Sequence, residues 1–287
     1  MITFAVSCAK LRGEWAEAKG EPFDWRGSLV YAAAILLLIC GASNLDKGLW
    51  AWLLALCGTG GLIHFLILES HTEFPVLNVN LLRSNRVFAF SNLAAMLNYA
   101  ATFGVTFFLS LYLQYVKGLN PREAGTILII QPIVQAAFSP LCGRLADRFS
   151  AATVATIGMA LCAAGLAIAA SITATTSITL IMVMLATLGL GFALFSSPNI
   201  SVIMGSVPPR YLGVASGLNS TMRTLGMMAS MTIITIIFSI FMADQAVTPQ
   251  TQPQFLASMH TALVTFSALC IVGIFFSIAR IKKQPDP

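Results

Sequence analysis

ITLIMVMLATLGLGFALFSSPNI, residues 178–200, contains no Asp, Glu, Lys, Arg or His. As a helix rising roughly 1.5 Å per residue it would reach about 34 Å, enough to cross a hydrocarbon layer of about 30 Å. It has no polar face to turn toward water, as a surface helix of a soluble protein would. Seven further apolar runs flank it, at 27–42, 49–68, 88–114, 124–142, 152–171, 218–242 and 259–280. The composition agrees, with 57% hydrophobic and 9% charged residues, against about 25% charged in an ordinary soluble domain. The expected fold is therefore all-α, a polytopic membrane protein of about eight transmembrane helices whose outer surface is covered by the lipid bilayer.

The net charge of +5 does not point to nucleic acid, because the basic residues lie singly and in pairs between apolar runs. They sort by topology instead. With the N-terminus inside, the inner segments hold Lys10, Arg12, Lys19, Arg26, Arg83, Arg86, Arg144, Arg148, Arg210, Arg280, Lys282 and Lys283, and the outer ones Lys47, Lys117 and Arg122. That bias predicts a multi-pass protein of the cell membrane with both termini in the cytoplasm. MITFAVSC at the start is too short and wrongly ordered for a signal peptide. The expected organisation is residues 1–26 as the remnant of a preceding span and a linker, 27–68 as a two-helix unit, 69–87 as an inner linker, and 88–287 as a six-helix unit.

All eleven acidic residues fall in connections, tails or span ends. No carboxylate stands at mid-membrane depth, where a proton carrier needs one. The six cysteines show no CxxC pair or metal spacing and are expected to be small buried apolar residues, and the lone His64 to be packed. No nucleotide loop, hydrolase elbow or zinc signature occurs, so neither an enzyme nor a cofactor is expected.

Polar residues inside the spans mark candidate sites. The third span carries Asn98, Thr102, Thr106, Ser110 and Gln114 at four-residue steps, and the fourth carries Gln131, Gln135 and Ser139 on one face beside Pro132 and Pro140. Such stripes serve either helix packing or the wall of a weakly polar cavity. Phe103, Phe138, Phe195, Met227 and Met231 would then give that wall a deformable apolar surface. Arg223 is the one charge well inside a span, about two turns from its inner edge with Asn219 one turn before it, and either snorkels or faces a cavity. Pro132 and Pro198 are expected to bend their helices. Gly189 and Gly191 are expected to serve packing, as are Gly213 and Gly217.

GRLADRF, residues 143–149, reads locally as an inner loop: Gly143 permits close backbone approach, Asp147 can cap the next helix, and Arg144 and Arg148 hold the inner side. The stretch resembles the GxxxDRxGRR loop of the major facilitator superfamily, departing from it after Arg148. SVPPRYLGVASGLNSTMRTLG (206–226), LYLQYVKGLNPREAGTILIIQP (111–132) and FDWRGSL (23–29) are similar to the C-terminal half of fourteen-span drug:proton antiporters of the EmrB/QacA type. The resemblance implies a major facilitator half plus two extra central helices, lacking the first six spans. It implies proton-coupled efflux of lipophilic or cationic, amphipathic drug-like compounds, with a separate N-terminal six-helix half as partner. In that scheme Asn98, Thr102, Gln131, Gln135, Phe138, Asn199, Asn219, Arg223 and Met227 line the substrate path. Gly143, Arg144, Asp147 and Arg148 form a conformational gate. The alternative is a truncated, non-transporting product or one subunit of a split transporter.

Overall fold

The computed structural model describes residues 24–42, 44, 47–72, 75, 77, 79–242 and 245–281. Among them the regular structure is helical: α1 (Trp25–Ala42), α2 (Leu49–Glu69), the short α3 (Val79–Ser84), α4 (Arg86–Leu111), α5 (Pro121–Leu128), α6 (Ile130–Arg148), α7 (Ala151–Ala170), α8 (Ile178–Gly205), α9 (Leu212–Met242) and α10 (Gln252–Ile281). Eight spans are long and apolar enough to cross a membrane, α4 running on to Val116 and α5 with α6 counting as one. MITFAVSC, Cys8 and the rest of residues 1–23 lie outside the described residues.

Local chemistry sets the helix ends. After Leu111 the chain widens into a π-helical turn, Tyr112–Val116, closed by Lys117 N–H to Tyr112 O at 3.1 Å. Gly118 follows at φ +68°, a left-handed conformation that favours glycine. Asn120 then starts α5 with a reciprocal cap: its Oδ1 accepts from Glu123 N–H at 2.9 Å, and Glu123 Oε2 accepts from Asn120 N–H at 3.0 Å. α5 ends at Leu128 with Ile129 as its C-cap, three residues before Pro132, which lacks the N–H needed to continue the ladder and crowds the preceding turn.

α4 is the centre. It packs on α9, α10 and α8, while α7 joins α10 to α8, and α6 lies on the outer side of α8. Small residues set these distances. A Cβ on Gly226 of α9 would meet Met96 O of α4 at 2.3 Å, one on Gly158 of α7 would meet Phe195 N of α8 at 2.5 Å, and one on Gly189 would meet Gln131 O at 2.5 Å. Gly189 and Gly191 are thus packing glycines as expected. Gly143, Gly213 and Gly217 are not, since nothing lies within 4 Å of a Cβ built on any of them. Burial follows the same plan: in the apolar window of the α4 span 56% of residues are buried, against 6% in the α5–α6 span.

α1 and α2 form a hairpin pressed together at Gly41 against Ala55 and Gly58 against Leu38. Its outer faces, including Leu36, Leu53, Leu56 and Ile63, are exposed. The hairpin is tied to α9 by the Tyr31 hydroxyl on Thr221 Oγ1 and by Thr232 Oγ1 donating to Ala42 O at 3.5 Å.

Gly226→Ala is expected to lower the unfolding midpoint in detergent, with an overpacking cost of about 1–3 kcal/mol. Gly143→Ala should stay within about 0.5 kcal/mol of the parent. Equal midpoints for the two variants would mean that the α4–α9 crossing has slack.

Candidate functional site

α9 carries a cleft along most of its length. A cavity of about 450 Å³ opens between Tyr31, Phe65 and Leu77 on one side and Gly213, Gly217 and Thr221 on the other. A second, of about 180 Å³, shares Tyr31 and Thr221 with the first and reaches Thr224. A third, of about 340 Å³, shares Thr224 and continues past Phe103, Met227, Met228 and Met231 to Thr235. From Gly213 to Thr235 the helix climbs about 33 Å, close to the thickness of the hydrocarbon layer. The wall is weakly polar by construction. Thr221, Thr224 and Thr235 each donate to the carbonyl four residues earlier, at 3.1, 3.0 and 3.0 Å, so their oxygens keep lone pairs for a bound molecule.

Arg223 stands beside this cleft, one turn below Met227. Because α9 begins at Leu212, six residues earlier than the apolar pattern suggests, Arg223 lies about 17 Å into the helix and not two turns from its end. The side chain is exposed, and its guanidinium lies over the Tyr99 ring at 5.7 Å from the centroid. Tyr99 in turn meets Phe192 of α8 edge-on at 5.3 Å. Among the described residues no carboxylate pairs with Arg223, and the acids described (Asp24, Glu69, Glu123 and Asp147) all stand at helix ends. Tyr99 and Phe103 on α4 face Arg223 and Met227 on α9 with the same offset, held there by Gly104 N–H donating to Ser230 Oγ at 2.9 Å.

The other expected path residues divide. Asn219 is half-buried on α9 one turn before Arg223. Gln131 and Gln135 are half-buried and Phe138 exposed on α6, which packs on α8 and α7 rather than lining the α9 cleft. Asn98 and Thr102 point the opposite way from the cleft, into the bundle: Asn98 is fully buried beside Cys162, and Thr102 donates to Asn98 O at 2.8 Å. They do not line the cleft.

Asn199 belongs to a buried cluster instead. Its Oδ1 accepts from the Arg280 guanidinium, and its amide donates to Ser91 O at 3.2 Å. Arg280, 1% exposed, also donates to Ser91 Oγ and Ser277 Oγ at 2.9 Å and to Ala152 O at 3.3 Å. Four helices, α4, α7, α8 and α10, therefore meet on one guanidinium.

Residues 143–148 are not a loop. The helix runs through Arg148, and only Phe149 and Ser150 connect it to α7. Asp147 lies in the last turn of α6 and does not cap α7, whose N-cap is Ser150; Gly143 is half-buried, and Arg144, Asp147 and Arg148 are exposed. Cys142, Cys162 and Cys270 are buried as expected, whereas Cys40 and Cys57 are exposed on the hairpin, as is His64. Tyr99 and the inward turn of Arg280 escaped the sequence reading. An aromatic four residues before Phe103 was the available signal for Tyr99.

The Major Facilitator Superfamily model matches residues 21–231 and 91–285. The chain is 28% identical over 275 residues to the riboflavin transporter RibZ of Clostridioides difficile (strain 630), covering 93% of this chain and 58% of that protein. It is 26% identical over 221 residues to the multidrug resistance protein Stp of Mycobacterium tuberculosis (strain ATCC 25618 / H37Rv), covering 74% of this chain and 40% of that one. The chain thus spans a little over half of the first relative's length and less of the second. In fold it resembles the inward-facing, unoccupied crystal structure of a bacterial homolog to the human lysosomal transporter Spinster, with a TM-score of 0.57, 15% identity, and coverage of 90% of this chain and 70% of that chain.

Asn199→Ala would leave a buried guanidinium donor without its acceptor and is expected to cost about 1–3 kcal/mol of stability in detergent. Arg223→Ala, which loses an exposed cation–π contact, should cost about 0.5–1 kcal/mol. The reverse order in thermal unfolding would move the structural role from Arg280 to Arg223.

Proposed function

Because the chain belongs to the Major Facilitator Superfamily, we propose that it forms one wall and the central helix pair of a proton-coupled secondary transporter of the fourteen-span drug:proton antiporter kind. It would export lipophilic, drug-like compounds by alternating access. The observation that carries this reading is the cleft along α9. It is lined by threonines, methionines and Phe103, and it is as long as the bilayer is thick. Methionine and aromatic side chains repack at low cost around differently shaped solutes, and the threonine oxygens orient them. A membrane subunit that merely braced a neighbour would have no use for such a groove.

A six-helix counterpart would supply the opposite wall. Two features support it: the chain covers 58% of its riboflavin-transporting relative, and α6 exposes Ile133, Phe138, Leu141 and Leu145 with little burial of its own. The coupling carboxylate would come from that counterpart too, since the acids described here all stand at helix ends. Arg144, Asp147 and Arg148, exposed on the last turns of α6, would engage it as a gate when the inner face closes. In this arrangement the basic helix ends face the cytoplasm and the protein resides in the cell membrane.

Vesicles holding the chain alone are expected to bind a lipophilic dye without accumulating it under a pH gradient. Vesicles that also hold a six-helix counterpart should accumulate it. Robust gradient-driven transport by the chain alone would sink the one-wall proposal. In the two-part system, Arg223→Ala should lower transport while leaving protein levels in the membrane nearly unchanged.

A further inference from the structure

The geometry points to a cargo class: planar aromatic molecules that carry a negative charge or a strong hydrogen-bond acceptor, held in the α9 cleft by Arg223 with the Tyr99 ring behind it. This rests on the transport reading above and narrows it, because a lipophilic exporter of this family would otherwise be expected to take cations.

Three observations converge on that class. First, the guanidinium lies about 17 Å along α9 with no carboxylate beside it among the described residues. A cation within an apolar span is costly to keep without a counter-charge, and an anionic or acceptor group arriving in the cleft relieves that cost. Second, the aromatic face best placed to receive a cationic solute is taken. Tyr99 already carries Arg223 over its ring, and a second cation would be repelled by the first. Third, the rest of the pocket suits a flat apolar body. Phe103, Met227, Met228 and Met231 surround a cavity of about 340 Å³, within the size range of small-molecule sites. The threonine hydroxyls Thr224 and Thr235 there spend their protons on their own helix, which leaves Arg223, one turn from Met227, as the donor for the ligand.

The arrangement also keeps the guanidinium aimed. Tyr99 is buttressed by Phe192, and a Cβ on Gly226 would meet Tyr99 Cβ at 3.0 Å, so ring and helix are packed without slack. The ring holds the cation one turn along α9 from Met227, as Tyr99 stands one turn along α4 from Phe103, so a planar ligand resting on Phe103 and the methionines would extend beyond the cavity to bring an acceptor on its rim to Arg223.

The test uses the full chain in lipid nanodiscs and two planar dyes of similar size, anionic fluorescein and cationic ethidium, followed by fluorescence anisotropy. Fluorescein is expected to bind about tenfold or more tightly than ethidium, as one charge-assisted hydrogen bond allows. Arg223→Gln should abolish the difference and Arg223→Lys should retain most of it, both variants remaining folded with only the small drop in unfolding midpoint that loss of one exposed cation–π contact allows. Tyr99→Leu should weaken fluorescein binding by freeing the guanidinium. Equal or tighter ethidium binding, fluorescein binding indifferent to Arg223→Gln, or no binding of either dye overturns the proposal. Failure of the transport reading looks different: fluorescein would bind as stated, yet would not be moved across vesicles even with the six-helix counterpart present.

Discussion

A polar group surrounded by hydrocarbon has no water to turn to, and leaving it unsatisfied costs several kcal/mol. Nearly every feature of this chain answers that constraint. The backbone satisfies itself in helices, and most serines and threonines within the spans donate to carbonyls of their own turn, as Thr156, Thr187, Thr261 and Thr265 do at 2.8–2.9 Å. The two terminal nitrogens of Arg280 donate to neutral oxygens from its own helix and three others, while its Nε is left without a partner among the described residues. Arg223 finds an aromatic ring instead, and remains open on its other side. The contrast between these two cations, one enclosed and one exposed, separates what holds the bundle together from what faces the cleft.

The spans were legible because a bilayer imposes a length, and no soluble fold calls for eight charge-poor runs of that length in succession. Their ends were less so. α9 starts at Leu212 and α10 at Gln252, in stretches carrying Gly, Ser and Gln that extend the helix without adding a continuous apolar signal. The GRLADRF stretch misled for the opposite reason: its charges mark the membrane boundary, but nothing in it stops a helix before Phe149.

At the site, legibility followed how far apart partners lie. A charge inside an apolar run is conspicuous, so Arg223 stood out, and Met227 with it. Asn98, Thr102 and Asn199 were misplaced because an amide or hydroxyl in a span looks the same whether it lines a cavity or holds helices together. What distinguishes them is a partner 81 or 108 positions away for Asn199, which no local pattern records. Arg280 reads from the sequence as one more positive residue at a span end. Its inward turn exists only because Ser91, Ala152 and Asn199 converge there.

That convergence has a consequence for biosynthesis. Ser91, Ala152 and Asn199 enter the membrane with α4, α7 and α8, while the guanidinium they share arrives later, with α10. Until α10 inserts beside them, the amide oxygen of Asn199 and the hydroxyl of Ser91 lack the donor that completes them. The helices from α4 to α10 therefore reach their finished packing only once α10 has inserted, and a nascent chain halted before Arg280 would carry those groups unmet into the quality-control machinery of the membrane.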